Sequence, residues 1–285
     1  MTTDGAAGKP RIGFIGQGYI GKNYADDLEA RGYPTVRYAL EEPYRANKEQ
    51  VKDCDIVFIG VPTPTTHAGF DDSIVRAAIA LVGVGKVAVI KSTIVPGTTV
   101  SIQEQYLDRI VLYSPEFLLE VSAAHDASHP FSNIVGMAVD DVLHREAAER
   151  VLAVLPPASF SSIMASTEAE LVKYAHNGSG YVQVVFFNLM YDLTKSLGYE
   201  WDRIGEALAA DPLISNTYVK PVHKSGRGAG GHCFIKDFAA LCDFYGRTAD
   251  DSLGSAVLLA VEDKNRALLA ASGKDQDLVR GVYGT

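Results

Sequence analysis

Residues 11–33 read RIGFIGQGYIGKNYADDLEARGY. The short apolar run RIGFI suits a buried parallel strand. Gly16, Gly18 and Gly21 follow as GxGxxG, and the next residues keep helical spacing until Gly32, a helix stop. In that order each glycine has a task. The first makes a tight turn, the second lets a pyrophosphate reach the backbone, and the third lets the helix pack on the strand. The helix N-terminus then faces the phosphates. A lone GxGxxG carries little information; set between a strand and a helix it is specific. Gly16, Gly18 and Gly21, with the first helical residues Tyr19 and Ile20, are therefore expected to hold a dinucleotide. A second strand, TVRYAL (35–40), precedes Glu41 and Glu42, about 20 residues after the motif, where an acidic ribose ligand is expected. Glu41 favours NAD over NADP, while Arg37 and Arg45 nearby leave that choice open. The plain alternative for both glutamates is a solvated loop.

Further strand-like runs follow at 55–62 (DIVFIGVP), 86–93 (KVAVIKST), 109–114 (RIVLYS) and 133–139 (NIVGMAV). Helical stretches at 71–83 and 98–107 separate the first of them. This alternation predicts an α/β fold, a Rossmann-type doubly wound parallel sheet, over residues 1–165. Ligands of such sheets bind beyond the carboxyl ends of the strands. VPTPTT (61–66), KSTIVPGTT (91–99) and SPEFLLE (114–120) each follow a strand and fall on that edge. Val61, Pro62, Thr63 and Thr93 become cofactor candidates, and Thr93, Glu116, Phe117, Leu118 and Glu120 candidates around a substrate. Ordinary turn chemistry explains the prolines equally well.

Residues 166–285 read as a helical domain. Helical spacing runs from Ser166 to about Gly198, a long central helix of the kind that crosses between domains or forms a dimer interface. Thr167 and Glu170 have the spacing of a capping box. Lys173 and Asn177, four apart, share a face. Gly178 and Gly180 each cost about 1 kcal/mol against Ala in mid-helix, so a ligand, another helix or a local break is expected there. Residues 213–237 then read LISNTYVKPVHKSGRGAGGHCFIKD. Lys220, His223, Lys224, Arg227 and Lys236 concentrate positive charge in an acidic chain, beside glycine-rich backbone that suits phosphate. Either a solvated loop or an anion site fits. Cys233 stands among the glycines with Lys236 and Asp237 just behind it, as a nucleophile or as a buried turn cysteine. Cys242 lies on an apolar helical face and reads as core.

The chain has 285 residues, 47 % of them hydrophobic, and a net charge of −9. That balance argues against a nucleic-acid partner. The polar start MTTDGAAGKP lacks the apolar core of a signal peptide, and no run is long enough to cross a membrane. Three widely spaced cysteines without CxxC argue against a disulfide framework and a metal site, and fit a reducing cytoplasm.

Taken in order, GFIGQGYIG, VPTPT, KSTIVPGTT, SPEFLLE, EAELVKYAHN and GAGGHCFIKD resemble the motifs of the UDP-glucose/GDP-mannose dehydrogenase family. The resemblance implies NAD as cofactor, a homodimer, and oxidation of a primary alcohol of a nucleotide sugar to a carboxylate with two NAD. It implies Cys233 as the nucleophile that forms a thiohemiacetal and then a thioester. Lys173 and Asn177 match the pair that stabilises an oxyanion, and Asp237 the carboxylate that positions water and lysine. Thr93, Glu116 and Glu120 match polar groups around the water and the reacting carbon. Lys236 joins the cofactor set; Glu116, Phe117, Leu118, Lys173, Lys224, Arg227 and Gly230 form the expected substrate contacts. The motif departs from the family at His232, where a serine is usual, and at Ile235, where a proline is usual. The family's third domain is expected to be absent from these residues. UDP-glucose is then the default substrate, with a smaller anionic sugar or nucleoside in reserve. Two other readings stand beside this one: a two-electron hydroxy-acid-type dehydrogenase that needs no thiol, and a non-catalytic NAD-binding module.

Overall fold

The computed structural model describes residues 8–214 and 216–284. Most of the polar N-terminal stretch lies outside the described residues. Along the chain come β1 (Ile12–Ile15), α1 (Tyr19–Ala30), β2 (Thr35–Tyr38), a 3-10 segment (Arg45–Asp53), β3 (Ile56–Ile59), the short pair β4 (Thr65–Thr66) and β5 (Gly69–Phe70), and α2 (Ser73–Ile79). They are followed by β6 (Val87–Ile90), α3 (Thr98–Gln105), β7 (Ile110–Tyr113), α4 (Ala123–Ser128), β8 (Ser132–Met137), α5 (Val142–Val154) and β9 (Phe160–Ala165). The helical half holds α6 (Ser166–Ser196), α7 (Asp202–Ala210), the two-residue strands β10 (Val222–His223) and β11 (Gly226–Arg227), α8 (Gly231–Thr248), α9 (Ser252–Ser272) and α10 (Gln276–Tyr283). These elements form two compact units: Met1–Thr63 with Asp72–Lys173, and Pro64–Asp71 with Tyr174–Thr285.

The first unit is built on one seven-stranded sheet in the order β2-β1-β3-β6-β7-β8-β9. β1, β3 and β6 are buried along their whole length, which is why they read as unbroken apolar runs rather than alternating ones. β2, β1, β3, β6 and β7 are mutually parallel, so the loops that open at Gly16, Gly60, Lys91 and Ser114 share one edge. β8 corrects the expectation of a wholly parallel sheet. It pairs antiparallel with β7, and β9 then runs parallel to β8. A buried apolar run reads the same in both directions, so periodicity carries no strand polarity. Only the six-residue α4 stands between β7 and β8, whereas the 13-residue α5 makes the crossover to β9.

The glycine motif is sterically obligatory. Gly16 has φ +91°, and a Cβ there would lie 2.2 Å from the Gly60 carbonyl oxygen. A Cβ on Gly21 would lie 1.9 Å from the Gly16 carbonyl oxygen, so α1 packs on β1 only without a side chain. A second correction concerns the start of α6. β9 runs directly into the helix, and Glu168 reaches back to accept from the Ala165 amide at 2.9 Å. Thr167 and Glu170 therefore form no capping box. Glu170, fully buried, instead accepts from the Gly97 and Thr99 amides at 2.6 and 2.9 Å and from Thr99 Oγ1 at 2.5 Å. It thereby caps α3, whose own N-cap is a glycine.

The second unit packs α8, α9 and α10 around the later turns of α6. α6 passes Gly178 and Gly180 without a break. A Cβ on Gly180 would meet Phe234 and Tyr218 at 2.9 Å, and one on Gly178 would meet Leu241 at 3.3 Å. Close approach by α8, rather than a bend, is the reason for both glycines. Tyr181 stacks on Phe238 with ring centroids 3.8 Å apart and closes that contact.

Candidate active site

In the first unit the candidate dinucleotide residues gather where β1 turns into α1. Gly18 is the N-cap of α1, and a Cβ there would meet nothing within 4 Å. The open space lies at the start of α1, beside Tyr19 and Ile20, where a helix N-terminus suits a pyrophosphate. Ser92 accepts from the Val61 amide at 2.9 Å and donates to the Val61 carbonyl at 2.7 Å, fixing the loop of Val61, Pro62 and Thr63. Glu41 and Glu42 are exposed just after β2. Arg37 is held by Asp26 at 2.7 Å and Glu29 at 2.6 Å, so its guanidinium is already paired. Arg45, exposed two residues beyond Pro43, keeps a cation beside the two glutamates.

The loops after β6 and β7 hold a buried polar group. Lys173 Nζ donates to the Glu116 carbonyl at 2.6 Å and to Glu116 Oε1 at 2.9 Å. Glu116 Oε2 accepts from the Leu118 amide at 2.8 Å. Burial alone would push the Glu116 carboxyl up, but the Lys173 charge and these hydrogen bonds hold it below its ordinary value. Thr93 is buried on the neighbouring loop, Phe117 lies 5.5 Å from Lys173 Nζ, and Glu120 is exposed.

Lys91 was not among the candidates from sequence, although KST was one of the motifs. Its Nζ is 3.3 Å from both Ser114 O and Oγ and 4.1 Å from the Tyr24 ring centre. Burial pushes its ammonium down from 10.5 to about 7, Glu116 pulls the other way, and Lys173 adds to the fall. A lysine with a depressed pKa is a burden on the fold while it is charged. The burden is complete below about pH 7 and vanishes as pH rises towards 10.5. Lys91→Met is therefore expected to be more stable than the parent at pH 6. The upper bound is on the order of 5 kcal/mol, lowered because Glu116 loses a neighbouring cation. The gain should fade towards pH 10.5, which thermal unfolding at pH 6 and pH 10 would check.

In the second unit the thiol stands at a helix start. Cys233 is exposed in the first turn of α8, where the helix dipole favours negative charge. Asp237, one turn later on the same helix, is buried and accepts from Asn177 Nδ2 at 2.7 Å and Lys236 Nζ at 2.5 Å. Cys54 is buried and Cys242 half-buried; burial pushes their thiols up to about 11 and about 12. Only Cys233 is both exposed and at a helix N-terminus.

Two expected substrate contacts carry other duties. Arg227 donates to Asn188 Oδ1 at 2.8 Å and pairs with Asp192 at 2.6 Å, so its guanidinium ties β11 to α6 instead of standing ready for an anion. A Cβ on Gly230 would lie 2.1 Å from Asp275 Oδ2, so the C-terminal turn by itself demands glycine there. Lys224 is exposed, with φ 54°. The structure thus joins Glu116 to Lys173 in one unit and Asn177, Lys236 and Asp237 in the other. α6 carries Lys173 and Asn177 one turn apart.

Comparison with known proteins bears on both halves. Residues 34–154 match the profile of the UDP-glucose/GDP-mannose dehydrogenase family NAD binding domain, and residues 167–267 that of the same family's central domain. The UDP-glucose 6-dehydrogenase of Streptococcus pneumoniae is 28 % identical, covering 96 % of this chain and 78 % of that protein. The UDP-glucose 6-dehydrogenase AglM of Haloferax volcanii is 25 % identical, covering 81 % of this chain and 64 % of its own length. A UDP-glucose dehydrogenase structure from Pyrobaculum islandicum superposes with a TM-score of 0.76 at 26 % identity, over 92 % of this chain and 70 % of that one. Across the UDP-glucose 6-dehydrogenases that it matches, the chain spans from 42 % to 78 % of their length.

Proposed function

We propose, for a chain that belongs to the UDP-glucose/GDP-mannose dehydrogenase family through its NAD-binding and central domains, that it oxidises the primary alcohol of a nucleotide sugar to a carboxylate through Cys233. The observation that carries this is the exposed thiol at the start of α8, one turn ahead of the buried Asp237–Asn177 pair. A dehydrogenase that stops at a carbonyl has no use for a nucleophile so placed.

Residues 1–165 serve as the NAD-binding domain, with Gly16, Gly18, Tyr19, Ile20, Gly21, Glu41, Val61, Pro62, Thr63 and Thr93 as its contacts. NAD held there would supply the hydride acceptor for each of two oxidations. Cys233 Sγ adds to the aldehyde carbon left by the first and forms a thiohemiacetal. Loss of the second hydride leaves a thioester, which water cleaves to the acid and the free thiol. Lys173 and Asn177 donate to the oxygen that gathers charge in these steps. Asp237 holds Asn177 and Lys236, and Glu116 holds Lys173. Thr93 and Glu120 attend the water, while Phe117, Leu118 and Lys224 contact the substrate. UDP-glucose is the first substrate of choice, and the chain's three cysteines suit a reducing cytoplasm.

A homodimer belongs to the same reading. Val182, Phe186, Leu189, Leu193 and Leu197 are exposed along α6, and an apolar groove of about 790 Å³ runs between α6 and α7. Such a stripe is unusual on a lone surface.

The test is the ratio of NADH to product with UDP-glucose, other nucleotide sugars, sugar phosphates and nucleosides. Two NADH per acid formed is expected. One NADH with an accumulating aldehyde or ketone would replace this reading with the two-electron one. NAD binding without turnover of any alcohol would leave a binding module.

A further inference from the structure

The glycine-rich loop ahead of Cys233 is held from behind by the C-terminal segment. Asn265, almost fully buried on α9, accepts from the Ala229 amide at 2.6 Å and donates to the Ala229 carbonyl at 2.9 Å. Ser272 Oγ accepts from the Arg227 amide at 3.1 Å. Lys274, buried in the turn between α9 and α10, donates to the Gly228 carbonyl at 2.9 Å. Asp275 Oδ2 accepts from the Gly231 amide at 2.7 Å. Backbone groups of Arg227, Gly228, Ala229 and Gly231 are thus met by side chains of residues 265–275.

The steric data agree. A Cβ on Gly226 would lie 2.5 Å from Ser272 Oγ, one on Gly228 3.0 Å from Asn265 Oδ1, and one on Gly230 2.1 Å from Asp275 Oδ2. These glycines are therefore needed for the C-terminal segment to approach, independently of any ligand. α8 has Gly230 as its own N-cap and gains no side-chain cap from it. Asp275 supplies the missing acceptor from 44 residues away. Its backbone sits in the left-handed region at φ 53°, a conformation that asparagine and aspartate tolerate best. α10 then seats on α8 and α9 through Val279 and Val282 against Ile235 and Leu269.

We infer that Lys274 and Asp275 are positioning residues for Cys233: they clamp the backbone of residues 228–231 and so hold the first turn of α8, with the thiol on it, in a single conformation. This rests on the reading of Cys233 as the nucleophile. Neither side chain touches the reacting atoms; each acts through the loop. Lys274 gives the Gly228 carbonyl a donor, and Asp275 keeps the α8 N-terminus from fraying.

The experiment compares Asp275→Ala, Asp275→Asn and Lys274→Met with the parent chain. Its first measurement is iodoacetamide alkylation of Cys233, followed by peptide mass with Cys54 and Cys242 as internal references. A frayed first turn withdraws the N–H groups and dipole that favour a thiolate. Asp275→Ala and Lys274→Met are therefore expected to slow Cys233 alkylation at pH 7 by about threefold or more. Asp275→Asn, which keeps the acceptor oxygen and the backbone preference, should match the parent. The second measurement is acid formation, where the same two variants should lower kcat by about tenfold with the KM for NAD unchanged. Equal acceleration in Asp275→Ala and Asp275→Asn would mean that the carboxylate acts as a charge, and would overturn the clamp. No change in any variant would overturn it as well. Alkylation needs no turnover, so a parent chain that forms no acid would refute the catalytic reading while the clamp is still decided.

Discussion

Replacing Cys233 by alanine is expected to reduce acid formation to background while NAD binding stays within about twofold. The thiol is exposed, so its removal opens no cavity in the core. The proposed dinucleotide contacts, Gly16, Gly18, Gly21 and the Val61 loop, all lie in the other compact unit. Stability should therefore change by less than about 0.5 kcal/mol, as for most surface substitutions. What is lost is the atom that holds the aldehyde between the two oxidations. The variant should still release some NADH in a single turnover, with aldehyde or its hydrate as product. Product mass and NADH yield check this together. Undiminished acid formation would remove Cys233 from the mechanism. If Cys233→Ser leaves alcohol oxidation intact and the parent passes through no aldehyde, the two-electron reading takes over.

Lys173→Met has the second large effect, on stability and activity at once. The Lys173–Glu116 pair has almost no solvent contact on either side. Removing the cation leaves a buried carboxylate with the Leu118 amide and the Lys91 charge, a loss of about 3–5 kcal/mol at pH 7. The sign with pH follows from Glu116. In the parent its carboxyl is held below the ordinary 4.5, so the pair's contribution is complete above that value and is lost as pH falls through the lowered one. In the variant burial acts with less opposition, the carboxyl takes up a proton at higher pH, and the deficit should shrink as the solution is acidified. Urea unfolding at pH 7 and pH 5 would measure it. Adding Glu116→Gln should restore most of the stability, because a neutral amide replaces the stranded charge. It should not restore acid formation, since the Lys173 ammonium is still missing. A double variant as unstable as the single one would mean that packing, and not the charge pair, sets the loss.

The sites legible in the chain were those whose chemistry is local. GxGxxG between a strand and a helix, Lys173 and Asn177 at a four-residue spacing, and Cys233 four residues before Asp237 all lie within a few residues of their context. Lys91 escaped notice because a lysine after a strand looks like any solvated residue until its burial is known. Asn265, Lys274 and Asp275 escaped because their partners lie 36 to 46 residues away. One trace existed: Asn265 stands in mid-helix at the spacing of the apolar residues, where a polar group wants a buried partner.

Residue order alone was enough to establish the α/β sheet, its glycine turn and the long helix, whereas Cys233, read as part of the glycine-rich loop, stands in the first turn of α8. Periodicity and glycine sterics act over one or two turns of chain and need no distant partner. The direction of β8, the transfer of Glu170 from its own helix to the start of α3, the engagement of Arg227 by Asn188 and Asp192, and the clamp behind Cys233 emerged only on folding. Each depends on which groups meet across tens of residues, and a buried carbonyl, amide or charge takes whichever partner the packed fold brings within about 3 Å.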